Sequence, residues 1–244
     1  MGRVPALFAI ALSGCVTITS SSIGTFAGVL PCADCAGILT ELRLYTEQPS
    51  GQPTRYELTE TYIGARDGGG SIGTTNRWTF VRGTASDGGA TVIQLDLGRI
   101  DARKNFVRVG NDELRLVDRN LKEIPPSLPH SLYRVSDLPA VSLLEKDSGQ
   151  AIEVERGQRV FVVLGANRTT GYAWKLDAFE PGTLATLGGP VYAQEATLPG
   201  AGGTEIWFFM AARSGKQDLR FHYARYFEQS AIATKTVSFA VNVR

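Results

Sequence analysis

The sequence predicts an all-β protein made of two small domains: a β-barrel followed by an immunoglobulin-like β-sandwich. Three observations carry this. The chain has 244 residues, enough for two ordinary domains. It carries 27 glycines and 11 prolines, punctuation that suits short strands and tight turns better than long helices. Its apolar residues alternate with a period of two between Gly-rich turns, and no helical pattern of ten residues emerges.

The elements follow in order. "MGRVPALFAIALSGC" has one Arg, an apolar run from Val4 to Leu12 and small residues before Cys15. That run is too short to span a bilayer, which needs about 20 apolar residues, and reads as a secretory signal over residues 1–14. "LSGC" resembles a bacterial lipobox, which implies cleavage before Cys15 and acylation of its sulfur. Val16 stands where Asp would signal inner-membrane retention in a Gram-negative cell. The expectation is therefore a lipid anchor in the outer membrane, with the protein facing the periplasm. Residues 15–25, rich in Thr and Ser, are expected to be a tether.

From Phe26 the alternation begins. "ILTELRLY" puts Ile38, Leu42 and Leu44 on one face, "RWTFV" puts Trp78 and Phe80, and "TVIQLDLG" puts Ile93, Leu95 and Leu97. Turns such as "RDGGGSIG" and "SDGGA" separate them. One-faced alternation of this kind argues an antiparallel sheet closed over a core. The Pro-rich stretches "IPPSLPH" and "DLPA" read as boundary signals. The first domain is set at residues 26–137 and the second at 138–244.

In the second part the pattern restarts. "RVFVVL" is mostly apolar, and "YAWKL" places Tyr172, Trp174 and Leu176 together. "DLRFHY" turns Leu219, Phe221 and Tyr223 inward, and "TVSFAVNV" does so with Val237, Phe239, Val241 and Val243. "EIWFFM" is apolar on both faces and is expected mid-sandwich. Five or more strands in about 105 residues suit an immunoglobulin-like sandwich.

Charge and residue types narrow the function. The net charge is +1, so there is no electrostatic footprint for nucleic acid. The two histidines, His130 and His222, lie in a Pro-rich connection and on the polar face of a strand. Nothing pairs a nucleophile with an oriented His, no Gly-rich phosphate loop joins a strand to a helix, and no His cluster has metal spacing. The chain does not read as an enzyme. With Cys15 acylated, "PCADC" leaves Cys32 and Cys35 as a pair. Three readings stay open for it: a thiol-redox centre, a soft-metal site that would take copper as Cu(I), and a short structural disulfide in an oxidising compartment.

"GVLPCADCAGILTELRL", with "YIGAR" and "LRLVDRNLKEI" further on, resembles the N-terminal domain of the NlpE family of envelope-stress and copper-resistance lipoproteins. The likeness runs from Phe26 to Tyr133. It implies a small barrel akin to half a lipocalin, and a role in metal or surface-stress signalling through Cys32 and Cys35. Members of that family carry a second domain with its own cysteine pair. No Cys follows Cys35 here, so signalling through such a pair does not carry over.

The second domain resembles the chagasin family of papain-like cysteine protease inhibitors, on three segments in order. "NRTTGYAW" resembles the family's NPTTGYxW loop. "GAGGTEIWFF" resembles its GxGG loop and the strand after it. "FHYARYFE" resembles its Y-x-R-P-W segment. The resemblance implies that Asn167, Arg168, Thr169, Thr170, Gly171 and Tyr172 enter the protease cleft near its catalytic Cys. Gly200, Gly202 and Gly203 would approach one rim, and Arg225, Tyr226 and Phe227 the other. Inhibition would be reversible occlusion without covalent chemistry, and the partner a papain-like cysteine protease. Gly171 lets the backbone come close, and a Val there is expected to add bulk only at an exposed loop. Two departures stand out. Arg168 replaces Pro, and "RYF" replaces "RPW". Restoring Pro at 168 is expected to hold or improve affinity by stiffening the loop.

Overall fold

The computed structural model describes residues 19–65, 69–98, 103–177, 179, 182–195, 200–225, 227 and 232–244. The expected signal segment and the acylation site Cys15 lie outside these residues.

The first eight strands are β1 (Thr19–Leu30), β2 (Gly37–Gln48), β3 (Pro53–Ile63), β4 (Gly70–Arg82), β5 (Thr91–Leu95), β6 (Asn105–Val109), β7 (Glu113–Val117) and β8 (Ser131–Val135). Each pairs antiparallel with the next, and β8 closes on β1 through Thr25–Val135, Phe26–Arg134 and Ala27–Tyr133. At eight strands the interior is just wide enough for side chains to fill it. Phe26, Leu42, Leu44, Tyr56, Leu58, Trp78, Ile93, Leu95, Phe106, Leu114 and Leu132 do so.

Three expectations change here. β1 begins at Thr19, so most of the expected tether is paired strand: Thr19 to Ser22 and Gly24 to Thr25 sit opposite β2. Leu97 is exposed rather than core, because β5 ends at Leu95 and Asp96 turns the chain at φ 55°. Asp96 also accepts a hydrogen bond from Asn76 Nδ2 at 2.8 Å. The stretch "IPPSLPH" does not separate domains; it connects β7 to β8 inside the barrel.

The second half holds β9 (Val141–Leu144), β10 (Ala151–Val154), β11 (Arg159–Ala166), β12 (Ala173–Leu176), β13 (Leu184–Thr186), β14 (Val191–Gln194), β15 (Gly203–Ala211), β16 (Gly215–Ala224) and β17 (Lys235–Val243). One sheet runs β10-β17-β16-β12; the other runs β13-β15-β11-β9, with β14 also on β15. Between them lie Val160, Val162, Leu164, Trp174, Phe209, Leu219, Phe221, Val237, Phe239 and Val241. The inward residues read from "DLRFHY" and "TVSFAVNV" sit as their alternation demands.

"EIWFFM" is buried on both sides, but the second side is not sandwich core. Trp207 and Phe209 face the sandwich interior. Ile206, Phe208 and Met210 face the barrel, against Ala27, Val29, Leu39, Ile63, Tyr133 and Val135. A backbone bond from Val29 N–H to Leu187 O at 2.8 Å crosses this contact. The Arg159–Glu41 ion pair crosses it too. Between β8 and β9, Asp137 accepts hydrogen bonds from Thr25 Oγ1 and Arg43 Nη2, each at 2.6 Å. Those two donors hold the Asp137 carboxyl below its ordinary value, Thr25 most strongly. Barrel and sandwich therefore share an apolar face pinned by polar contacts.

Candidate functional site

Three connections meet at one end of the sandwich: β11 to β12, β14 to β15, and β16 to β17. The first is the stretch from Asn167 to Tyr172. β11 ends at Ala166, and Asn167 caps a single 3-10 turn over Arg168–Thr170. Asn167 Oδ1 accepts from the Thr169 N–H at 3.2 Å and from Thr169 Oγ1 at 2.5 Å. Thr170 Oγ1 donates to Asn167 O at 2.6 Å. Short polar side chains thus bond to local backbone, as such residues do at caps and turns. Gly171 ends the turn at φ 80°, a left-handed conformation that L side chains resist.

The loop is tied to its neighbours. Asn167 N–H donates to Tyr223 Oη on β16 at 2.7 Å, and Asn167 Nδ2 donates to Gly200 O in the second connection at 3.1 Å. Tyr172 stacks on Tyr223 at 5.2 Å between ring centroids. The Arg225 guanidinium lies 4.8 Å above the Tyr172 ring. Trp174 is buried and its indole N–H donates to Gly165 O at 2.9 Å, so the aromatic pair two residues apart forms the base of the loop. A Cβ on Gly171 would run into the ring of Phe227. Val at 171 would therefore collide with the third connection and strain the backbone, which corrects the expectation that it would add only exposed bulk. Phe227 itself is 73% exposed. Gly202 and Gly203 flank the second connection, where Glu195 N–H donates to Gly202 O at 3.1 Å. Gly203 packs against Tyr192. Tyr226 lies outside the described residues.

Arg168 is not a free surface charge. Its guanidinium is 3.3 Å from Glu205 Oε2 and 4.9 Å above the Tyr192 ring. The Glu205 side chain is 1% exposed, that of Arg168 44%. Burial pushes the Glu205 carboxyl up, while Arg168 and a bond from the Trp174 backbone pull it partly back. Oε2 makes an ion pair but no aligned hydrogen bond. Sequence reasoning passed over Glu205. The available signal was one acidic residue opening the otherwise apolar run "EIWFFM", together with a cation where the family pattern has Pro.

Cys32 and Cys35 are joined as a disulfide with their Cα atoms 5.4 Å apart, in the turn between β1 and β2. The pair is thus in its oxidised, disulfide form. Among the described residues no group of three or more His, Cys, Asp or Glu is placed to hold a metal ion. His222, on the polar side of β16, stands 3.0 Å from Asp177 Oδ1 and 2.9 Å from Thr236 Oγ1.

Comparison with known families agrees with this architecture. A family model described as the NlpE N-terminal domain matches residues 26–126. A second, the chagasin family peptidase inhibitor I42, matches residues 153–243. The first match falls on the barrel and the second on the sandwich. Lipoprotein NlpE of Escherichia coli (strain K12) is 26% identical over 156 residues, covering 61% of this chain. The chain spans 59% of that relative's length. Among solved structures, the cysteine protease inhibitor EhICP2 from Entamoeba histolytica is 17% identical, with a TM-score of 0.41. It covers 45% of this chain and 99% of its own. The solution structure of Amebosin is 24% identical and covers 44% of this chain and 100% of its own, at a TM-score of 0.36.

Proposed function

We propose that this protein inhibits papain-like cysteine proteases by seating the Asn167–Tyr172 loop of its chagasin-family domain in the active-site cleft. The connections at Gly200–Gly203 and Arg225–Phe227 would rest on the two rims. The observation that carries this is the cross-tying of the three connections. Asn167 bonds Gly200, Gly171 abuts Phe227, and Arg225 covers Tyr172. A loop held in one shape before binding loses less entropy on docking. Exposed aromatic and guanidinium groups are the types that anchor interfaces. Occlusion needs no nucleophile, so the inhibition is reversible and leaves inhibitor and protease chemically unchanged.

The similarity to a lipoprotein supports the anchored reading. Acylation at Cys15 would hold the inhibitor on the outer membrane, facing the periplasm. Titrating the whole chain into papain and cathepsin L tests the inhibition: tight, reversible loss of activity is expected, with serine proteases untouched. No inhibition of either enzyme by folded protein at micromolar concentration would refute it.

A further inference from the structure

The barrel has two ends. The disulfide turn lies at one. The other is bordered by the turns at residues 49–52, 83–90 and 110–112 and by the first residues of β1, all of them among the described residues. At this second end the barrel interior opens into a hollow of about 350 Å³. Small-molecule sites occupy roughly 300–1,000 Å³. Phe26, Leu44, Ile93 and Leu114 form its floor and are all buried. Ile23 and Phe80 stand at its lip, 36% and 39% exposed. Phe80 leans edge-on against the buried Trp78, with ring centroids 4.8 Å apart. The hollow therefore presents apolar surface that the barrel itself does not cover.

Two arginines line the same hollow, Arg108 and Arg134. Arg134 is built into the wall. Its guanidinium lies 4.8 Å above the Phe26 ring, and Nη1 donates to Ile23 O at 2.8 Å. A Cβ on Gly24 would overlap that guanidinium, so the glycine makes its room. Arg134 also has a counter-ion, Asp112 at 3.1 Å. Arg108 differs. Its Nε donates to Gly110 O at 2.9 Å and its Nη2 to Asn111 Oδ1 at 2.7 Å, both neutral acceptors. Among the described residues no carboxylate pairs with it. The acidic side chains of the bordering turns bond within those turns: Glu47 accepts from Ser50 Oγ and Asp87 from the Gly89 N–H, each at 2.8 Å. The rim thus holds a guanidinium in fixed geometry, without a counter-ion, above an apolar floor.

A bare inorganic anion would leave the floor and lip unmet. A cationic amphiphile would meet two guanidiniums. One chemistry satisfies both halves of the hollow. We infer that this end of the barrel binds a single-chain amphiphile with an anionic head, its tail against Phe80 and Ile93 and its carboxylate or phosphate at Arg108. Guanidinium is suited to either head, since it can offer two parallel N–H donors to a carboxylate or a phosphate. The site is built from barrel residues alone and does not depend on the inhibitory reading.

The test is calorimetric titration of the whole chain, below the micelle concentration of each probe. A Cys15→Ser background removes any acyl group of the protein's own. Laurate, dodecyl phosphate and dodecyltrimethylammonium share one chain length and differ in head; inorganic phosphate is the probe without a tail. Saturable binding of laurate or dodecyl phosphate is expected, the tighter of the two identifying the head, with no binding of the cationic or the tail-less probe. Arg108→Gln should weaken the anionic probe by about tenfold or more, the worth of a hydrogen bond to a charged group. Phe80→Asp, at an already exposed position, should weaken it similarly, and Ile72→Asp, at the other end of the barrel, should leave it unchanged. Failure of both anionic probes to bind, or equal binding of the cationic one, would overturn the site. So would wild-type affinity in Arg108→Gln and Phe80→Asp with unchanged thermal melts, or binding lost in Ile72→Asp instead.

Discussion

Replacing Arg168 by Pro is the substitution on which sequence and structure disagree most sharply. The backbone accepts it: position 168 is the first residue of the 3-10 turn, where Pro is favoured. Stiffening the chain there is worth about 0.4–1 kcal/mol. The loss is larger. Glu205 is 1% exposed and Arg168 is its cation at 3.3 Å. Removing one partner of a fully buried pair costs about 3–5 kcal/mol. Arg168 is 44% exposed and Glu205 can take up a proton, so about 1–3 kcal/mol is the appropriate range. If the loop bears the upper half of that loss, about 1–2.6 kcal/mol remains after the Pro gain is subtracted, and Kd rises by roughly five- to eightyfold. Arg168→Pro with Glu205→Gln removes the stranded charge and keeps an acceptor for the Trp174 backbone. It should return affinity to within about threefold of wild type, a non-additive recovery typical of contacting residues. The assay is a protease titration at neutral pH with a thermal melt of each variant. Arg168→Pro alone binding as tightly as wild type would refute the argument that Glu205 needs its cation.

The same pair sets a pH dependence. Glu205's folded value lies above its ordinary one, so the folded state holds the proton more readily and the fold gains stability as pH falls through that window. The ion pair is lost over the same range, so inhibition should weaken on acidification while the melting temperature does not fall from this group; Glu205→Gln should flatten the Ki profile, and an unchanged profile would contradict the link. Asn167→Ala removes a cap and the bond to Gly200, and should weaken inhibition by about tenfold, roughly the worth of a lost cap; an unchanged Ki would mean the ties do not set the loop. Phe208→Ala opens the barrel-facing side of β15 and should cost about 3–5 kcal/mol in a denaturant melt; a loss below about 1 kcal/mol would mean that face is not closed. Thiol counting should find no free thiol at Cys32 and Cys35 until reduction, and Cu(I) uptake only afterwards, since thiolate is the soft ligand; equal uptake by the oxidised form would contradict this.

Much of the fold was legible because period-two alternation reports which face a strand buries. Val237, Phe239, Val241 and Val243 are read correctly from spacing alone. What alternation cannot report is which body covers a face. Ile206, Phe208 and Met210 look like sandwich core, but the barrel buries them. The connections were visible through Gly171 and the Thr pair, whose roles are local. Their ties were not, because Asn167 to Gly200 spans 33 residues and Arg168 to Glu205 spans 37, beyond any periodicity. Glu205 stayed hidden inside an apolar run for the same reason.

The claim that this protein works by filling a protease cleft is tested most directly by competition at the cleft itself. Binding of the whole chain to papain would be measured before and after the catalytic Cys is covalently blocked by a bulky active-site epoxide inhibitor. The account predicts tight binding to the open enzyme and none to the blocked one. Equal affinity for both would place the protein elsewhere on the protease and contradict occlusion by the Asn167–Tyr172 loop.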